Sequence, residues 1–167
     1  MPRIRHEDLK KIAQPLLTSG EQVEHIAYGV QQPPFLVIVL MMILCVGVPI
    51  FLFRGDLITS ALVAGVAGGV GGMIIFFMSK HLAIALTDQK LLLIQFRYAK
   101  GWPVLHSWSI PVADFSGRFR TFGLVTSIRL TLAGKNWLIR FNRKLSSAVN
   151  GQEIDAIKQK ILPPHQS

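Results

Sequence analysis

The chain has 167 residues, a net charge of +9 and a mean hydropathy of +0.42, and half of its residues are hydrophobic. This hydropathy is high for a soluble protein, and the length limits the aqueous part to one small domain beside any membrane segment. The single cysteine, Cys45, excludes an internal disulfide. All of the excess positive charge follows residue 78, because residues 79–167 hold 13 basic and four acidic side chains. Such a balance indicates an anionic partner, lipid or nucleic acid, or simply a solvated basic surface.

The first 34 residues combine a helical and an extended pattern. Apolar residues within 2–17 recur at helical spacing between charged residues, which predicts a short amphipathic helix. This helix would pack on the protein or lie on a membrane surface, and we expect packing on the protein. Residues 21–30 then favour a strand, which ends at Pro33 and Pro34.

Two uncharged apolar runs, residues 35–53 and 57–78, follow. A helix rises about 1.5 Å per residue, so each run can cross a bilayer core of roughly 30 Å. Residues 54–56 leave room only for a tight turn, which predicts an antiparallel hairpin with both chain ends on the same side. Pro49 predicts a kink in the first helix. A buried hairpin of a soluble protein fits less well, because buried apolar runs are typically only about 10 to 14 residues long.

Small residues mark the second apolar run. They form two overlapping ladders at four-residue spacing, Ala61-Gly65-Gly69 and Ala64-Gly68-Gly72. Helix backbones approach closely where side chains are small, so this face should pack against another helix. The partner is the first helix of the same hairpin, which we favour, or a second copy or another membrane subunit. The candidate helix-packing face is Ala61, Gly65, Gly68, Gly69 and Gly72.

From residue 79 onward the apolar residues recur with a period of two, which predicts strands. Residues 81–87 and 90–97 are apolar runs separated by a short turn, and a third strand follows Pro103. A short fourth strand is expected within 115–122.

The end of the chain predicts a hairpin and a helix. Apolar residues alternate within 128–132 and 137–141 around a turn at 134–136, which brings the number of strands after the membrane segment to about six. Asn150 is placed to cap a C-terminal helix, with Glu153 completing a capping box.

The order of these elements resembles that of the bacterial pleckstrin-homology-like domain of small membrane proteins. The resemblance is carried by LTSGEQV at 17–23, AIALTDQKLLL at 83–93 and SIPVADF at 109–115. It implies a seven-stranded, strongly bent barrel or sandwich capped by a C-terminal helix, with residues 21–30 as the additional strand. The fold class expected is thus an α+β membrane protein, a two-helix transmembrane hairpin joined to this domain. The expected divisions are 1–34 (helix and strand), 35–78 (hairpin), 79–162 (pleckstrin-homology-like domain) and 163–167 (tail).

The resemblance implies a fold more firmly than a ligand. Eukaryotic members of the wider fold bind phosphoinositides through basic residues in the first strand–strand loop. The matching loop here, residues 87–90, has only Lys90, with Asp88 beside it. This departure argues against the same site in this chain.

No constellation of residues predicts catalysis. The five histidines lack metal-ligand spacing, one cysteine cannot complete a zinc site, and no serine lies in a G-x-S-x-G motif. We therefore expect no enzyme, no cofactor and no metal. The one candidate surface for lipid or a partner, if it is more than a solvated face, consists of Arg118, Arg120, Lys135, Arg140, Arg143 and Lys144.

The function expected from these patterns is that of a non-enzymatic, membrane-anchored interaction module. Its basic domain would contact anionic lipid or a membrane protein complex. The alternative is an accessory subunit docked through the glycine-rich second helix. Expected partners are membrane lipids, other membrane subunits and a second copy of the chain, and no nucleic acid. Lys80, Lys90 and Arg97 follow the second helix closely, so the positive-inside tendency places both termini in the cytoplasm of a bacterium, at its inner or an internal membrane.

Overall fold

The structure is a computed structural model that describes residues 4–53, 55–97, 99–144 and 149–162. The chain divides into two compact units, one formed by Gln32–Ser79 and the other by the residues before and after it. The larger unit contains α1 (His6–Ala13), β1 (His25–Gln31), β2 (Lys80–Leu86), β3 (Lys90–Phe96), β4 (Val104–Pro111), β5 (Arg118–Phe122), β6 (Val125–Leu132), β7 (Lys135–Asn142) and α5 (Val149–Ile161).

The seven strands form one antiparallel sheet in the order β4-β3-β2-β1-β7-β6-β5. This confirms the α+β class, the antiparallel strands and the C-terminal helix. Strand β1 precedes the apolar runs in the chain but lies in the middle of the sheet, so the boundary expected at residue 79 leaves β1 and α1 out of the unit to which they belong.

The sheet curls over on itself. Three strands separate β4 from β7, which would place these two strands about 19 Å apart in a flat sheet. Instead the rings of Trp108 and Trp137 lie 4.9 Å apart. We place the bend of the sheet between β1 and β7, because these strands pair only through Val30 and Arg140.

Curling creates two apolar cores. The inner core gathers residues of β2, β3, β6 and β7, and α5 closes it with Ile154, Ile157 and Ile161. The outer core lies on the other face of β1–β3 and is covered by Leu9 and Ile12 of α1. The N-terminal helix therefore packs on the protein, as expected. Because β2 and β3 are buried on both faces, they contain continuous apolar runs, residues 82–86 and 91–94, instead of an alternating pattern.

Gly29 allows β7 to pass close to β1. A Cβ atom at this position would lie 2.6 Å from Ile139 Cγ2 and 2.7 Å from Phe141 Cε1. These distances are shorter than van der Waals contact, so the two β7 side chains occupy the space that a residue with a side chain would need.

Helix α5 is attached to β1 by the two residues expected to form its cap, and that expectation is wrong. Asn150 lies inside the helix, where its side chain accepts from Tyr28 N at 2.7 Å and donates to Tyr28 O at 3.0 Å. Glu153 accepts from Ile26 N at 3.1 Å and bonds to His25 Nδ1 at 3.0 Å. The three-residue spacing that suggests a capping box instead places both side chains on the helix face that meets β1.

The turn between β6 and β7 starts one residue earlier and ends two residues earlier than the predicted turn at 134–136. The turn residues are Ala133 and Gly134, both at positive φ (51° and 71°), and β7 already begins at Lys135. Two successive positive φ angles are typical of the two-residue hairpin turn whose twist matches that of the strands.

The smaller unit consists of two apolar helical segments. The first contains α2 (Phe35–Met42), a π-helical turn (Ile43–Gly47) and α3 (Val48–Leu52), and the second is α4 (Leu57–Met78). Both segments are long and apolar enough to cross a membrane. Pro49 has no backbone N–H to donate into the preceding turn, which is where the helix widens into π geometry. Asp56 caps α4 by accepting from Ile58 N and Thr59 N, each at 3.1 Å.

Candidate interaction surface

Strands β6 and β7 bury one face and expose the other, and β5 pairs with β6 at the edge of the sheet, where only Phe119 is partly buried. Directly opposed residues of neighbouring strands share a face. Two such rows carry arginines on the exposed face, Arg118-Arg129-Leu138 and Arg120-Ser127-Arg140. The structure thus brings together three of the six cations predicted from sequence, those at positions 118, 120 and 140.

Arg129 completes this surface and is absent from the predicted set. Its neighbours Ile128 and Leu130 are buried, so the alternation of β6 turns Arg129 outward. The pairing of β5 with β6 then sets it opposite Arg118. The alternation is visible in the sequence, whereas the register that joins the two arginines is not.

The other predicted cations do not join this surface. Arg143 forms two hydrogen bonds to the Asp155 carboxylate, at 2.7 and 2.5 Å, and this ion pair raises the pKa of the Arg143 guanidinium. Arg143 therefore holds the end of β7 to α5. Lys135 begins β7 and Lys144 follows its end, so strand geometry separates them by roughly 30 Å.

Lys90, the first residue of β3, has a structural role. Its ammonium lies 2.7 Å from Glu21 Oε2 and donates to Thr18 Oγ1 at 3.3 Å. The Lys90 hydrogen bond lowers the pKa of Glu21. The contact fastens the segment before β1 to the start of β3, and it leaves no unpaired cation in residues 87–90.

Charges are segregated between the two ends of strands β1–β4. At the end where β1 finishes and β2 begins, the described residues carry the exposed cations Lys80, Arg97 and Lys100. Their side chains form no salt bridge with any residue in the described parts of the chain. The acidic residues Glu21, Glu24, Asp88 and Asp114 lie at the opposite end. The cationic end is the one from which the chain passes into the apolar helices.

The loop between β3 and β4 adds an aromatic residue to this cationic end. Trp102 adopts a positive φ of 48° and packs edge-on against Phe96, with the ring centroids 6.1 Å apart. Its ring is half-buried, next to the exposed Val104 and Leu105 at the start of β4. Tryptophan beside cations and apolar residues is typical of surfaces that lie at a membrane interface.

The small residues of α4 divide between two faces. A Cβ atom at Gly71 would lie 2.9 Å from Cys45 Sγ, and a Cβ atom at Gly68 would lie 3.6 Å from Val46 Cγ2. These two glycines therefore face the first helical segment. A Cβ atom at Gly65, Gly69 or Gly72 would meet nothing within 4 Å. Of the four glycines predicted to belong to one packing face, only Gly68 makes such a contact, and the fifth predicted residue, Ala61, is exposed.

The rest of the described chain offers no centre for metal chemistry. Residues 4–53, 55–97, 99–144 and 149–162 contain no group of three or more His, Cys, Asp or Glu side chains arranged to hold a metal ion. Comparisons with protein families, with curated proteins and with solved structures found no match to this chain.

Proposed function

We propose that this chain is a non-enzymatic, membrane-anchored interaction module whose basic domain contacts anionic lipid headgroups. In this proposal α2–α3 and α4 span the bilayer as a hairpin, and the curled seven-stranded sheet with α5 is a pleckstrin-homology-like domain on the cytoplasmic side of a bacterial membrane. The resemblance supports the fold name, and the short distance in sequence from α4 to Lys80, Arg97 and Lys100 supports the cytoplasmic side.

The sheet itself supports a hairpin that returns to the same side. Strand β1 precedes the apolar segments and pairs along its whole length with β2, which follows them. Paired strands cannot lie on opposite sides of a bilayer, because their backbone groups must meet. Both flanks of the hairpin therefore share one compartment if the helices span.

The observation that carries the proposal is the position of Lys80, Arg97 and Lys100, which form no salt bridge within the described residues. Only residues 32–34 connect β1 to α2, and only Ser79 connects α4 to β2. An extended residue reaches at most about 3.6 Å, so both connections are short, and the cationic end of the sheet is the end that the chain leaves when it enters the apolar segments. Each Lys or Arg near an anionic surface contributes roughly 1 kcal/mol of attraction.

Hydrogen exchange of the full-length protein in nanodiscs tests the proposal. We expect the backbone of the β3–β4 loop to exchange more slowly in discs that contain phosphatidylglycerol than in pure phosphatidylcholine discs, and high salt should remove the difference. The triple variant Lys80→Gln, Arg97→Gln, Lys100→Gln should lose the difference, while the control Lys144→Gln keeps it. Equal exchange of the wild-type protein in both kinds of disc would overturn the lipid contact, and release from membranes by alkaline carbonate would overturn the anchor.

The open side of α4 favours a second candidate, an accessory subunit of a larger membrane assembly. Gly65 and Gly69 lie on this side with no neighbour. We expect Gly65→Leu and Gly69→Leu to remove partners that co-migrate with the protein after mild extraction while the hairpin stays folded. Gly71→Leu, which would collide with Cys45, should destabilise the hairpin itself. An unchanged set of co-migrating proteins in the first two variants would contradict docking through this side.

A further inference from the structure

We infer that a groove beside Arg118 and Arg129 is a binding site for a phosphomonoester group, supplied by the headgroup of an anionic phospholipid. The inference deepens the proposed function and rests on it for the source of the phosphate. The groove has a volume of about 500 Å³, and its lining includes Ser116, Arg118, Arg129, Thr131, Asn136 and Trp137.

The charges of the groove are unbalanced. Arg118 and Arg129 are direct cross-strand partners, an arrangement that is destabilising for like charges. No acidic side chain lines the groove, and neither arginine has an ion pair within the described residues. A phosphomonoester carries about −1.5 to −2 charges at pH 7, which matches two guanidinium groups.

The donors of the groove suit phosphate oxygens. Each guanidinium offers a planar fork of N–H groups that can bind two oxygens at once. The Asn136 amide oxygen accepts from Thr131 Oγ1 at 2.9 Å, so its NH₂ group is left to donate. Ser116 adds a hydroxyl at the start of β5.

Lys80 lies at the end of the domain where the chain arrives from α4, and it contacts a residue that lines the groove. Its ammonium lies 5.4 Å from the centre of the Trp137 ring, and Trp137 also lines the groove. Lys80 is the first residue of β2 and is separated from α4 only by Ser79. A phosphate in this groove would therefore lie close to the point where the chain leaves the proposed bilayer, which favours a lipid over a soluble ligand.

Native mass spectrometry of the full-length protein in neutral detergent tests this site. Phosphatidic acid and phosphatidylcholine are titrated separately against the wild type, and bound lipids are counted. We expect Arg118→Gln with Arg129→Gln to weaken phosphatidic acid binding about tenfold or more, since hydrogen bonds to charged groups are lost. The control pair Arg120→Gln with Arg140→Gln removes the same charge from the adjacent row of the same face, and it should weaken binding clearly less.

Two further measurements exclude indirect effects. Arg118→Lys with Arg129→Lys keeps the charge but loses the fork, so it should bind phosphatidic acid more weakly than the wild type. The variant with both Arg118→Gln and Arg129→Gln should melt at or above the wild-type temperature, because both arginines are exposed and repel each other. In a separate experiment, melting temperatures are measured with inorganic phosphate and without added lipid. Stabilisation that needs Arg118 and Arg129, combined with no preference for phosphatidic acid, would assign the groove to a soluble phosphate and overturn the lipid source.

The remaining outcomes separate the site from the proposed function. Equal losses in the two arginine pairs would overturn the groove and leave diffuse attraction to anionic lipid intact. Equal binding of phosphatidic acid and phosphatidylcholine by the wild type, with no effect of inorganic phosphate, would overturn the groove. In that case the hydrogen-exchange experiment in nanodiscs shows whether the proposed function also fails.

Discussion

Strands β1–β3 and strands β5–β7 belong to one sheet but bury their residues in different ways. Strands β2 and β3 have apolar cores on both faces, and Leu82 to Leu86 are completely buried. Strands β6 and β7 bury only alternate residues, and arginines occupy the exposed face. The two faces of β2 and β3 leave no room for a ligand, whereas β6 and β7 retain a charged face that packing does not require. A binding site on a face of the sheet is therefore compatible with the fold only in the half-exposed region.

The largest expected effect contrasts the same substitution in the two regions. Leu93→Ala in β3 removes a fully buried side chain from the inner core and should lower the free energy of unfolding by about 2–5 kcal/mol. Leu138→Ala on the exposed face of β7 should change it by less than about 0.5 kcal/mol. Urea unfolding of the detergent-solubilised protein measures both. Similar losses would show that the outward face of β7 is covered in the native protein.

A somewhat smaller effect is expected where α5 meets β1. Asn150→Leu removes the buried hydrogen bonds that this side chain makes with Tyr28 N and Tyr28 O, and a third to Asn142 O, which should cost about 2–3 kcal/mol. Gln152→Ala, at an exposed position two residues along the same helix, is the control and should be nearly neutral. If Asn150→Leu proved as mild as the control, these hydrogen bonds would not be what holds α5 in place.

The stability of the region around β2 and β3, which is buried on both faces, should also depend on pH. Burial lowers the pKa of His81, whose Nδ1 lies 2.7 Å from the Tyr28 hydroxyl. The unfolded chain takes up this proton near the ordinary histidine pKa of about 6.5, whereas the folded chain does so only at lower pH. The contribution to stability is therefore complete above about pH 6.5 and is lost as the pH falls through the lowered pKa. Melting temperatures at several pH values should decrease more steeply below this point for the wild type than for His81→Gln, and parallel profiles would contradict the assignment.

The smallest effect is expected on the arginine face, and its sign is opposite. Arg129→Thr removes one of two directly opposed positive charges and introduces a β-branched residue, so it should stabilise the sheet by a few tenths of a kcal/mol. The gain should shrink in high salt. Thermal melting at two salt concentrations measures it. A loss of stability would mean that Arg129 contributes to packing and is not retained for a ligand.

Secondary structure was predictable from sequence where a strand buries only one face or where an apolar run is long enough to span a membrane. The alternation in β6 and β7 and the two uncharged runs gave their elements directly. The boundary at residue 79 was harder to place, because the partner of β2 lies on the far side of a 48-residue insertion, residues 32–79. Local pattern does not report pairing across that distance. For Asn150, the capping pattern and the docking pattern have the same spacing, so tertiary contacts decided between them.

The candidate surface was predictable only in part, for a related reason. Composition identified a basic segment, but the strand register decides which cations meet. Arg118 and Arg129 are neighbours through the β5–β6 pairing, whereas Arg143 forms an ion pair with Asp155 on α5. Neither relation has a signature in the local sequence.

The insertion between two paired strands also affects how the chain is made. The ribosome releases β1 first, and β2 emerges only after 48 further residues, 32–79. Until then the central strand of the sheet has no neighbour on either side. If the apolar segments span a bilayer, a chain in which only one of the two segments inserts would leave β1 and β2 in different compartments. Completion of the sheet would thus act as a proofreading step for insertion of both segments, since a chain with one inserted segment would present an unpaired strand to quality-control proteases.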